Sequence, residues 1–119
     1  MTTDQFAERI AAVRDRFAAK LDTRIDEIAA GVPELGNAGA RETLARVHRR
    51  AHDLCGIGPT IGFVATGKAA RTVEQTLLVP LRADRALTAE ELARLRQEIA
   101  ALRNAARSET FVSGQERRS

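Results

Sequence analysis

Residues 40–59 read ARETLARVHRRAHDLCGIGP, and the spacing within this stretch decides the fold. Leu44, Val47, Ala51 and Leu54 recur at three- and four-residue steps, the pattern of an amphipathic helix with one buried face. The spacing predicts a helix from about Ala40 to Ile57. Gly58-Pro59 is expected to stop it, because proline cannot supply the amide that a continuing helix needs.

Upstream, Phe6, Ile10, Val13, Phe17, Leu21, Ile25 and Ile28 form one continuous helical stripe from about Asp4 to Ala30. Thr2 and Gln5 have capping-box spacing at its start. Gly31-Val32-Pro33 ends it, and Gly36-Asn37-Ala38-Gly39 completes the loop. Downstream, Phe63, Ala70, Val73 and Leu77 predict a third helix from about Gly62 to Leu78, ending before Pro80. Thr88-Ala89-Glu90-Glu91 is a capping-box signature opening a fourth, with Leu92, Leu95, Ile99, Leu102 and Ala106 turned inward. There is no strand-like alternation and no internal repeat. Four amphipathic helices with short connections imply an all-α, antiparallel up-down four-helix bundle over residues 1–107. Residues 108–119 are expected to form a flexible polar tail. The first helix is longer than the others, so its N-terminal stripe is expected to overhang the bundle and to fold back or pair with a second chain.

The bulk properties fit one small domain. The 119 residues are 44% hydrophobic, with four Phe and no Trp or Tyr, so the core is aliphatic. No stretch approaches the roughly 20 apolar residues that span a bilayer. Asp4 and Glu8 interrupt the first twelve residues, against a signal peptide, and the single cysteine, Cys55, excludes an internal disulfide. A cytoplasmic placement is the expectation, with no membrane partner. The net charge of +3 comes mainly from arginines interleaved with Asp and Glu, a solvated surface rather than a nucleic-acid stripe. Only Arg41, Arg46, Arg49 and Arg50 cluster, just before His52, which suits an acidic or phosphorylated partner.

Placed at about 100° per residue, His52 falls roughly a quarter-turn from the centre of the apolar sector of its helix. Its base is expected to pack while its ring edge stays exposed, with Ala45, His48, Arg49, Cys55 and Gly56 as neighbours on that shoulder. Glycine inside a helix costs about 1 kcal/mol relative to alanine. At position 56, one turn beyond His52, it leaves a flat shelf that lets another protein approach the ring. Phosphoryl transfer through an imidazole nitrogen suits this arrangement, because neutral imidazole is nucleophilic and the N–P bond it forms is labile. The carrier needs access and some positive charge; a partner aspartate with a bound magnesium ion supplies the rest of the machinery.

The residues Ala51-His52-Asp53-Leu54-Cys55-Gly56, followed by Gly62-Phe63 and then Ala70, Val73 and Glu74, resemble the histidine-containing phosphotransfer (HPt) domain family. The pattern covers about 25 residues of the second and third helices. The resemblance implies that His52 is the phosphorylated residue, Gly56 the close-approach glycine and the fold a four-helix bundle. It further implies a phosphorelay role, taking a phosphoryl group from, or passing it to, the receiver aspartate of a response regulator or hybrid sensor kinase. The lysine usual three positions after the histidine is Cys55 here; Lys68, Arg49 or Arg71 could replace its charge. With no glycine-rich or acidic ATP-binding segment, the chain reads as a carrier without kinase activity of its own and without a cofactor of its own.

Blander readings stand beside this one. A lone helical histidine is more often surface decoration, and His48 reads as a neighbour that tunes His52. His48, His52 and Cys55 have i, i+4, i+7 spacing, but zinc prefers four ligands and no fourth is near, so no metal is expected. Cys55 also reads as a packing residue. A second function class is a phosphate-independent helical scaffold that sequesters a response regulator on the same face, which Cys55 in place of lysine favours.

Overall fold

A computed structural model describes residues 2–118. The chain order is α1 (Thr3–Gly31), a 3-10 turn (Val32–Glu34), α2 (Arg41–Thr60), α3 (Val64–Ala83) and α4 (Ala89–Arg118), with no strand among the described residues. Cross-helix pairs fix the directions: Arg14 meets Ile61 and Glu27 meets Arg50, Arg41 meets Asp84 and His52 meets Glu74, Thr66 meets Glu109 and Thr76 meets Glu98. In each neighbouring pair one residue number rises as the other falls, so the helices run antiparallel, up and down, as expected.

The apolar stripes meet in one core. Phe17, Leu21, Ile25, Ile28, Leu44, Val47, Ala51, Leu54, Phe63, Ala70, Val73, Leu77, Leu95, Ile99, Leu102 and Ala106 are buried together. Two loop leucines complete the far end, Leu35 and Leu87, joined by a Leu87 N–H to Leu35 carbonyl bond of 2.9 Å. Both expected capping boxes form. Thr2 accepts from the Gln5 amide and Gln5 reaches back to Thr2; Thr88 and Glu91 do the same at α4.

Two expected helix stops do not act as stops. Pro59 lies inside α2 and Pro80 inside α3. Each falls in the last turn, where the missing amide costs one hydrogen bond and the fixed φ already suits a helix. Pro59 is also packed: a Cβ on Gly67 of α3 would come within 2.7 Å of its ring. α3 ends instead at Asp84, left-handed at φ 53°. The intervening turn needs Gly62, at φ 90°.

The expected polar tail is a further correction: α4 continues to Arg118. Its added length has a structural task. α3 has no side-chain cap of its own, and Glu109 supplies one, accepting from the Ala65 amide at 3.2 Å, the Thr66 amide at 2.6 Å and the Thr66 hydroxyl at 2.6 Å. α1 is therefore not the single long helix, since α4 with 30 residues matches its 29. Both pass the α2–α3 turn, giving a body of 54 × 25 × 18 Å. On the α1 overhang Phe6 is 58% exposed and Val13 is exposed, so this part of the stripe does not fold back onto the bundle. No helix among the described residues is long and apolar enough to cross a membrane.

Candidate functional site

α2 and α3 together position His52. Leu54, Ala51 and Val47 pin the buried face of α2, which leaves His52 on its shoulder with 65% of the side chain exposed. α3 runs antiparallel beside it and brings Glu74 to the same level, with Oε1 3.1 Å from His52 Nδ1. A carboxylate only accepts hydrogen bonds, so this contact assigns the ring proton to Nδ1. Nε2 is then the nitrogen with the free lone pair, at the far end of the ring from the backbone, in a side chain that is largely exposed.

Glu74 gathers the rest of this side. His48 stacks beside His52, centroids 6.4 Å apart and planes 14° from parallel. Its Nε2 lies 4.0 Å from Glu74 and is buried without a hydrogen-bond partner. Burial lowers the His48 pKa from 6.5; Glu74 opposes that shift, while His52 and Arg82 add to it. His48 is thus favoured as neutral imidazole and does not compete for the carboxylate as a cation. Cys55 is a free, half-buried thiol whose pKa is raised by burial first and then by Glu74, partly offset by Arg71. It brings no charge to the site.

The other expected residues divide. Ala45, Arg49 and Gly56 are exposed on the same shoulder as His52. A Cβ added at Gly56 would meet nothing within 4 Å, so no internal packing requires glycine there. The open shelf is present. Arg71 is near enough to act on the Cys55 thiol. Lys68 is exposed about 120° round α3 from Glu74, and no contact joins it to His52. Two participants went unread as site residues in the sequence: Glu74, and Arg24, which joins Arg46 and Arg49 of the expected arginine cluster in a shallow groove on the other side of His52. Glu74 had a signal, as part of the hydrophobic–Glu pair on the third helix, but its partner is 22 residues away in sequence. Among the described residues, no group of three or more His, Cys, Asp and Glu side chains is arranged to hold a metal ion.

Against known proteins, a family model described as Hpt domain matches residues 12–105. No curated protein and no solved structure matches the chain.

Proposed function

The chain belongs to the Hpt domain family, whose members act as phosphocarriers in phosphorelay signalling, and from that premise we propose that His52 is its phosphoryl acceptor. The observation that carries this reading is an exposed imidazole whose Nδ1 is held 3.1 Å from Glu74. The Nε2 lone pair attacks the phosphorus of an aspartyl phosphate on a receiver domain. The N–P bond forms as the P–O bond breaks, and the receiver carboxylate leaves with the electron pair. The Nδ1 proton stays where it is, so the ring becomes a phosphoimidazolium cation with Glu74 beside it. In the reverse direction neutral imidazole leaves, and no proton has to move in either direction.

Magnesium on the receiver supplies charge neutralisation during the transfer. The carrier contributes orientation, access over Ala45 and Gly56, and exposure. The receiver belongs to a response regulator or a hybrid sensor kinase, and no ATP-dependent kinase step is assigned to this chain. Phosphorylated receivers mixed with wild type and with the His52→Gln variant test the reading. Acid-labile label is expected on wild type alone; equal labelling of the variant would remove His52 from the mechanism. Cys55, in place of a charged neighbour, favours a second reading as a phosphate-independent scaffold. Pathway output that survives His52→Gln would support that reading instead.

A further inference from the structure

His52 stands between two unlike surfaces. About 40° and 60° round α2 to one side lie His48 and Cys55, which face Glu74. About 40° and 60° to the other side lie Gly56 and Arg49, with Arg46 at about 120°. This second side opens into the groove between α1 and α2, where Arg24, Arg46, Arg49 and Arg50 outnumber Glu27 and Asp53. Arg50 is committed to Glu27 at 2.6 Å, and Arg24 lies over the Phe17 ring, 5.6 Å from its centroid. Arg46 and Arg49 have no ion-pair partner among the described residues.

The Glu74 side sets a carboxylate against the ring and a neutral thiol beside it, and its cations, Arg71 and Arg82, act on Cys55 and His48. The two ring nitrogens of an imidazole face away from each other. Anchoring Nδ1 on the Glu74 side therefore turns Nε2 away from that carboxylate. Residues three apart on a helix have Cβ atoms about 5–6 Å apart, within reach for an arginine side chain from position 49. Resting on the assignment of His52 as acceptor, we propose that Arg49, backed by Arg46, neutralises the phosphoryl group from the α1–α2 groove. The charge that an ammonium at position 55 would supply thus comes from the opposite flank of the histidine.

The test uses the whole chain labelled with phosphoramidate, a small donor that needs no docking surface. The pKa of the phosphoryl group on His52 is read by ³¹P NMR as pH is varied. Loss of a nearby cation raises that pKa. Arg49→Gln is expected to raise it by about half a unit and Arg46→Gln by less, with circular dichroism unchanged. Lys68→Gln is expected to leave it unmoved, and high salt to shrink the difference between wild type and Arg49→Gln. An Arg49→Gln titration that overlays wild type would overturn the assignment, as would a larger shift from Arg71→Gln. In either case the labelled histidine itself would stand. Failure of His52 to take label from phosphoramidate would overturn the acceptor assignment and this inference with it.

Discussion

At His52 the functional question reduces to which nitrogen keeps the proton and what can approach the other one. Glu74 answers the first, through its 3.1 Å contact with Nδ1, and Gly56 bears on the second. A side chain started at position 56 has open space around its first carbon, with no heavy atom within 4 Å. Gly56→Leu should therefore leave the fold intact, or stabilise it by up to about 1 kcal/mol through helix propensity. Transfer from a receiver should fall by on the order of tenfold or more, since a small misplacement of reacting groups is costly. Labelling by phosphoramidate should be unaffected. A wild-type rate with the receiver would show that the shelf is not used for docking. His52, Gly56 and their shoulder were legible because they share one helix and obey its 100° geometry. Glu74 and Arg24 come from other helices and reach the site only through contacts between helices, which periodicity alone does not register.

Among the elements, α3 illustrates how a helix can depend on another segment for its end. Its N-terminal amides and the fully buried Thr66 hydroxyl are satisfied by Glu109 of α4. Glu109→Ala leaves those donors without a partner, at an expected cost of about 1–3 kcal/mol. Thermal melting of the variant should show a loss of several degrees. An unchanged midpoint would mean that the cap carries no net stability. The apolar pattern fades after Ala106, so the rest of α4 read as a tail; its helix is extended by a polar residue used as a cap, which hydropathy does not reveal. Pro59 and Pro80 were misread for a related reason. Proline ends a helix when its missing amide would be needed, and in a last turn the loss is a single bond. The capping boxes at Thr2 and Thr88 were legible because their chemistry is local.

For the whole molecule, the four core stripes were enough to give an antiparallel all-α bundle, and the cross-helix pairs supply its register. The fold also carries two groups whose titration ties its stability to pH with the same sign. Burial, ahead of the neighbouring charges, holds the His48 pKa below 6.5. The unfolded chain then binds that proton more readily. The contribution is complete above about pH 6.5 and falls away as pH drops through the lower folded value. Glu91, held at about 2 instead of 4.5 chiefly by Arg85, contributes fully above 4.5 and loses its contribution as pH falls toward 2. Denaturant midpoints should accordingly decrease from about pH 7.5 to about pH 5.5, and His48→Gln should flatten that part of the profile. A variant as steep as wild type would exclude His48 as the source.

The most direct measurement is the site of the phosphorus itself. Protein labelled with ¹⁵N in its histidines and phosphorylated by a receiver can be read by ³¹P–¹⁵N correlation NMR. Coupling from phosphorus to Nε2 of His52, with Nδ1 still protonated, is the expected result. Phosphorus on Nδ1, on His48 or on no histidine at all would contradict the assignment of His52 Nε2 as the acceptor.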